Sequence, residues 1–355
     1  MNNMPRNRFV QWLSVAALAA GLALWIAYLI QGDSDARAWR AVLINFLYFT
    51  PLAAAMAVWP GIIRLSRGGW AKSIETPVLS FAGFAVPSLL ALAALGLASG
   101  SWVPWWNPEV PHQGWWLYPP FVFGRDFAAL LAFWVTALFY LKRPNPTRLV
   151  LTVLGYTLTF SLIGFDLAKA LDPHFYSTLF GGYFFVSGLY AGMAGWAFLS
   201  AWFLRAEADR LHDLGRLTLA FSILTTYMMF SHILPIWYEN LPEEVIFFIP
   251  RIHGEWLAVT IVLAVMVYLG PLPSLLTIRA KRSRVLLGSI TSVILVGLWI
   301  ERLWLVQPHF EESPRIGLPE LSMAAAFWGA LYLSRMLAAG RLGAWRNEEE
   351  GVIGE

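Results

Sequence analysis

The chain has 355 residues, 58% of them hydrophobic and 13% charged, with 19 Trp and 24 Phe, which is more apolar and aromatic than a soluble domain tolerates. Its formal net charge of +3 is too small to argue for nucleic acid as a partner. The absence of cysteine excludes disulfides, thiolate-held iron–sulfur clusters and covalent c-type haem within this chain.

A helix that crosses a bilayer needs ~20 mostly apolar residues. Ten such runs follow one another, at 9–30, 41–63, 78–98, 120–141, 149–171, 178–204, 214–238, 254–276, 285–305 and 319–337. The expected fold is therefore an all-α integral membrane protein of about ten transmembrane helices, in contact with the lipid bilayer over most of its length. The first run follows Arg6 and Arg8, ends in the bulky "WIAYLI" and lacks a small-residue cleavage site, so it reads as a retained span and not a signal peptide.

After the third run comes "SWVPWWNPEVPHQGWWLYPP", 101–120, with five Trp and no Lys or Arg. An interfacial aromatic belt explains much of it, and a docking surface for a peripheral subunit is the alternative. The fourth run begins with Arg125-Asp126.

The fifth run ends in "GFDLAKALDPHFYST", 164–178. Asp166 falls about two turns inside the helix end, where a carboxylate is costly unless paired and by default marks a pathway or a site. Lys169 at i+3 is its expected partner. That pair is either self-neutralising or a proton-handling carboxylate held by its lysine. Asp172 precedes a helix-stopping Pro173, with Ser177 or Thr178 as the expected cap of the next helix. His174 titrates near neutral pH and can exchange protons at the membrane surface.

The seventh run closes with "FSHILPIWYENLPEE", 230–244. His232 and Glu239 are seven residues apart and share a helix face, with Pro235 between them expected to kink the helix. Asn240 followed by Glu243 reads as a capping box of a short surface helix, with Pro242 and Glu244 in its first turn.

The ninth run repeats the fifth. "FDLAKALDPHF" (165–175) aligns without a gap on "IERLWLVQPHF" (300–310), matching Asp166 with Glu301, Pro173 with Pro308 and His174 with His309 at a constant offset of 135 residues. Spans five and nine run in the same direction, four spans apart. This predicts a parallel repeat of two four-helix bundles, spans 2–5 and 6–9, plus two flanking helices. The corresponding divisions are 1–40, 41–175, 176–310 and 311–355. On alternate sides of the ten spans lie 18 and 5 Lys/Arg, with Arg125 and Lys169 set aside, and the excess on the side of both ends predicts cytoplasmic termini.

Three of these stretches resemble a known family. "GFDLAKALDPHFYSTLFGGYFF", "FSHILPIWYENLPEEV" and "IERLWLVQP" are similar, in that order, to signatures of the ActF-type membrane subunit of bacterial alternative complex III, within the wider NrfD-like proteins. The resemblance covers roughly 155–310. It implies a subunit of a quinol-oxidising complex in the bacterial inner membrane, working beside an NrfD-like paralogous membrane subunit. An iron–sulfur subunit and c-type cytochrome subunits would carry the clusters and haem c. This chain would bind no covalent cofactor and no metal, with quinone or quinol as its ligand. By motif the resemblance carries across Asp166, Asp172, His174, Trp237, Tyr238, Asn240, Glu243, Glu244 and Glu301; in the quinol-oxidising reading Asp166, His174, His232, Glu239 and Glu301 would handle protons, and Lys169, Asp172, Trp237 and Tyr238 would lie near quinol. The chain departs from the family at His232, where Gln is usual, at Leu269-Gly270 before Pro273, where a His-Phe pair is usual, and at Glu301, where Asp is usual. Two other readings stay open: a proton-coupled secondary transporter, and a structural membrane anchor.

Overall fold

The structure, a computed structural model, describes residues 8–32, 36–106, 114–172, 175, 177–241 and 245–353, with side chains as far as 340. Among them the chain is helical throughout, with no strand. Ten helices are long and apolar enough to cross a membrane: Arg8–Ile30, Arg37–Leu65, Thr76–Leu97, Pro119–Lys142, Pro146–Leu171, Phe180–Trp202, Ala208–Glu239, Trp256–Leu276, Arg284–His309 and Leu318–Gly340. They fall on the ten apolar runs, because in lipid a backbone has to satisfy its own hydrogen bonds and a continuous apolar stretch has little choice but helix.

The second and sixth spans are the axis of the molecule. Every residue in the most apolar window of the second is buried, and 83% of that of the sixth, against 11% for the first span. Small side chains bring the two together: "LAAAMA" at 52–57 faces "GLYAGMAG" at 188–195. A methyl on Gly192 would lie 2.4 Å from Ala55 Cβ, and one on Gly188 would lie 3.0 Å from Pro51 Cβ. Close backbone approach of this kind is how helices associate in lipid, where burial of apolar surface drives nothing. Trp59 Nε1 locks the crossing by donating to the Leu189 carbonyl at 2.8 Å.

Around this axis the spans pack in matching order. The second touches the third and fifth, and the fourth touches the third and fifth; likewise the sixth touches the seventh and ninth, and the eighth touches the seventh and ninth. Across the axis the second meets the sixth and ninth, and the sixth meets the second and fifth. The first span hangs mainly on the tenth, where Gly21 lies against Ser322 and Ala326 and Gly329 against Ser14 and Leu18.

Two local features depart from regular helix. The eighth span is interrupted: α-helix Trp256–Leu263 passes into a π-helical segment Ala264–Leu269 before Pro271–Leu276 resumes. Gly270 N–H reaches back five residues to the Val265 carbonyl at 2.9 Å, leaving room for Pro271, which has no N–H to give. The seventh span, in contrast, is unbroken through Pro235 as far as Glu239. Asn240 then adopts a left-handed conformation (φ 49°) as its C-cap. Asn240 therefore ends the seventh span; Asn tolerates this conformation better than other non-glycine residues. Glu243, Glu244 and Pro242 lie outside the described residues.

Candidate functional site

Two clusters of ionised side chains lie at contacts between the described membrane spans, one at the fourth and fifth spans and one at the sixth, eighth and ninth. In the first half, Arg125 of the fourth span meets Asp166 of the fifth, Nη2 to Oδ2 at 2.5 Å, and its Nε lies 3.7 Å from Asp126 Oδ1. Asp126 is fully buried and neither of its carboxylate oxygens has a hydrogen-bond partner among the described residues. The guanidinium also sits over the Trp116 ring, 4.0 Å from its centroid. Two carboxyls thus share one cation, and a single proton on the pair brings the cluster to neutrality.

The ion pair of Asp166 is therefore with Arg125, not with Lys169 as the i+3 spacing suggested. Lys169 stands half-buried at the rim, within electrostatic reach of Asp172 and Asp166. The fifth helix ends at Leu167 and tightens into a 3-10 turn over Lys169–Leu171, which changes the spacing that a continuous α-helix would have given.

In the second half, Glu301 is completely buried. Its Oε1 accepts from the hydroxyls of Tyr183 and, at 2.7 Å, Tyr268, and its Oε2 accepts from Ser187 at 3.0 Å. The two tyrosine oxygens are 2.9 Å apart. Arg302 supplies the counter-charge, Nη1 to Glu301 Oε2 at 3.2 Å, and also donates to Ser187 at 2.8 Å. Tyr268 belongs to the π-helical segment of the eighth span, so the irregular turn helps to aim its hydroxyl at Glu301.

Tyr183 joins this network to a small cavity of about 10 Å³, room for a single water, lined by six aromatic side chains, Phe175, Phe180, Tyr183, Phe247, Phe248 and Trp304, together with His232. His232 is 5% exposed; its Nδ1 lies 2.9 Å from Ser177 Oγ, and its Nε2 has no hydrogen-bond partner among the described residues. Ser177 thus positions His232, while Leu179 occupies the N-cap of the sixth span with no side-chain cap.

Behind the pocket wall, Arg251 donates to the carbonyls of Trp304 (3.2 Å), Leu305 (3.0 Å) and Phe247, and its Nη2 is 2.8 Å from His309 Nε2. Burial pushes this guanidinium down to about 9, against the pull of Asp172, so it stays charged at neutral pH and needs these acceptors. The turn after the fifth span thereby reaches into the second half three times: Asp172 toward Arg251, Phe175 stacked on Phe247 at 4.2 Å, and Ser177 on His232.

Of the residues singled out by sequence, Glu301 and His232 are brought together through Tyr183, and Asp166 lies in the separate Arg125 cluster. Trp237 and Tyr238 are 74% and 81% exposed and Glu239 is exposed as well. The helix runs past the body after Ile236, its last buried residue, so Glu239 does not join His232 despite the shared face. His174 lies outside the described residues. Sequence reasoning missed Tyr183, Ser187, Tyr268, Arg251 and Arg302. The signal for two of them was present, since Tyr183 and Ser187 are an i, i+4 polar pair in an otherwise apolar span. Among the described residues no group of three or more His, Cys, Asp or Glu is arranged to hold a metal ion.

Comparison with protein families finds no family that matches the chain, and no curated protein matches it.

Proposed function

We propose that this chain is a membrane subunit of a quinol-oxidising electron-transfer complex of the alternative complex III type, and that its part in the complex is to take up and pass on protons. The observation that carries the reading is the buried Glu301, bound by two tyrosine hydroxyls that also contact each other. A carboxylate fully inside a membrane protein is kept for a pathway or a site, and phenolic hydroxyls, as donors and acceptors at once, are suitable relays. The motif resemblance supplies the redox context, in which quinol oxidation releases protons that acids near the rim can accept.

In this reading the complex lies in the bacterial inner membrane with both termini cytoplasmic. Exposed Arg67, Arg143, Arg216, Arg279 and Arg284 on one side, against Arg37, Arg40 and Arg315 in ion pairs with Glu320 and Glu311 on the other, support that orientation. The partners would be an NrfD-like paralogue, an iron–sulfur subunit and c-type cytochrome subunits, which hold the clusters and haem c. The test is to extract the tagged chain mildly from its native membrane, identify what co-purifies and record a dithionite-minus-oxidised spectrum. Haem c and iron–sulfur partners are the expected result. A lone, colourless polypeptide under several gentle detergents overturns the proposal.

A second reading, a proton-coupled secondary transporter, draws on the interrupted eighth span beside Glu301, because transporter sites use broken helices. Proton-driven uptake by the isolated chain in liposomes, with colourless preparations, would favour it.

A further inference from the structure

The sixth span ends close to an arginine in an uncommon conformation. Its helix closes at Trp202, and three residues later Arg205 stands in the left-handed region, φ 49°, which a residue with a Cβ enters at a cost that glycine escapes. A backbone outlier of this kind points to function when something else at the same place agrees with it. Here the first turn of the ninth span does. Arg284 donates from Nη2 to the Arg205 carbonyl at 2.8 Å, so two arginines, both exposed, are held side by side.

The charge around them is one-sided. Segments 202–216 and 276–286 carry seven Lys or Arg against three Asp or Glu, and of those acids Asp209 is already bound by Arg282 at 2.7 Å. Such an excess on one side is what membrane topology asks for, but topology is served by an arginine in any conformation and does not call for a left-handed one beside a second. Next to the two arginines the surface turns apolar. Trp202 lies on Gly288, whose added methyl would come within 2.5 Å of the indole, and Trp202, Phe203, Val285 and Leu286 are between 42% and 61% exposed. Exposed apolar side chains at the ends of spanning helices face lipid chains, and Arg205 and Arg284 stand within a turn of them, at the level of the headgroups.

We infer that this end of the sixth and ninth spans binds an anionic phospholipid, with its phosphate between Arg205 and Arg284 and its acyl chains along Phe203 and Val285. Guanidinium N–H groups match phosphate oxygens in pairs, and basic pockets between spanning helices hold acidic headgroups by the same contacts. An acidic protein would meet the charges and leave the four apolar side chains uncovered; a lipid meets both. The Glu301 network and the redox partners have no part in this site, which is therefore independent of the quinol reading.

The full-length chain in dodecyl maltoside is melted with added phosphatidylglycerol, phosphatidylcholine or glycerol 3-phosphate. Phosphatidylglycerol should raise the melting temperature by about 2 °C or more over phosphatidylcholine, and glycerol 3-phosphate, which has the phosphate without the chains, should not. Arg205→Gly separates backbone strain from binding. With phosphatidylcholine it should melt at or above the wild type, because glycine takes the left-handed conformation freely, and it should lose at least half of the phosphatidylglycerol increment. Arg284→Gln should lose as much, and decides if Arg205→Gly does not fold. Arg67, left-handed after the second span (φ 58°), is the control: its neighbour Arg64 is taken by Glu75 and Tyr140, and Arg67→Gly should keep the increment. No increment in the wild type, an undiminished increment in the folded Arg205 and Arg284 variants, or an equal loss in Arg67→Gly overturns the inference. So does an Arg205→Gly protein that melts below the wild type in phosphatidylcholine, since protein contacts would then hold Arg205. A shift with glycerol 3-phosphate as large as with the lipid would make the ligand a soluble anion and overturn it as well.

Discussion

Asp166 accepts from Arg125 at 2.5 Å across the contact between the fourth and fifth spans, and Asp126, the next residue to Arg125, competes for the same guanidinium from 3.7 Å. Two buried acids on one cation make the outcome of substitution non-additive. Asp166→Asn leaves Asp126 to balance Arg125, and Asp126→Asn leaves Asp166 to do so; either single change should cost less than about 1 kcal/mol. The double change strands a buried guanidinium and should cost about 3 kcal/mol or more. Thermal unfolding of the four proteins in detergent gives the cycle directly. Additive losses would mean that Asp126 does not share the cation. In the assembled complex, Asp166→Asn should lower turnover while assembly survives, and unchanged turnover would remove Asp166 from the mechanism.

The extent of the spans was legible because bilayer length and backbone satisfaction leave so few solutions for a long apolar run. That Asp166 is buried was legible for the same reason. Its partner was not: Arg125 is 41 residues away, and which helices become neighbours depends on packing that no local pattern encodes. Ser177 looked like a cap and instead binds His232, since a hydroxyl serves either purpose and only the position of the seventh span decides. Glu239 failed to join His232 for a similar reason, because helical periodicity specifies a face but not where the protein body ends along it. The Tyr268 contribution was hidden in the π-helical segment, which shifts the face that side chains present.

Glu301 is held by charge and by hydroxyls, and the two can be separated. Glu301→Gln keeps an acceptor for Tyr183 and Tyr268 but leaves Arg302 buried without its counter-ion, at a cost of about 3–5 kcal/mol. Adding Arg302→Gln removes the stranded charge and should recover at least half of that loss. Unfolding midpoints of the wild type, the single variant and the double variant measure it. If the double variant is folded but its complex turns over as fast as the wild type, Glu301 is structural and carries no proton.

The crossing of the second and sixth spans depends on having no side chain at Gly192. An added methyl would come within 2.4 Å of Ala55 Cβ and 3.0 Å of the Met56 backbone nitrogen, and backbone cannot step aside as a flexible side chain can. Gly192→Ala should therefore destabilise by about 1–3 kcal/mol, and Gly192→Leu should prevent the halves from docking. Gly69, which has nothing within 4 Å of its virtual methyl, serves as the control. A Gly192→Ala protein with a wild-type melting temperature would show that the helices are further apart than described.

Arg251 ties together the segment before the eighth span and the end of the ninth. With its value pushed only as far as about 9 by burial, it is charged both folded and unfolded from pH 5 to 8, so it contributes no pH dependence to stability in that window. Its effect is in the acceptors it serves. Arg251→Met leaves the carbonyls of Phe247, Trp304 and Leu305 and His309 Nε2 without it, at about 1–3 kcal/mol per group truly stranded. Arg251→Lys should recover only part, since an ammonium cannot present the planar fork. Equal stability of the Lys variant and the wild type, measured by thermal unfolding, would refute the multiple contacts.

Glu311 sits in the ion-paired surface next to the end of the ninth span, and its carboxyl is raised above the usual range by burial, with Arg37, Arg315 and Arg40 pulling it back. The pull is incomplete because the pairs are long, 3.4 Å to Arg315 and 3.7 Å to Arg40, beyond good hydrogen-bond distance. A carboxyl raised by folding binds its proton more tightly folded than unfolded. The ionised form is thus a cost at neutral pH, relieved as pH falls through the raised value and absent below the ordinary value of about 4.3. Glu311→Gln should therefore be more stable than the wild type at pH 7.5, and the gap should close on acidification toward pH 4. Thermal unfolding of both proteins across that range gives the sign: a Gln variant less stable than the wild type at pH 7.5 would mean that the long ion pairs to Arg40 and Arg315 outweigh the burial.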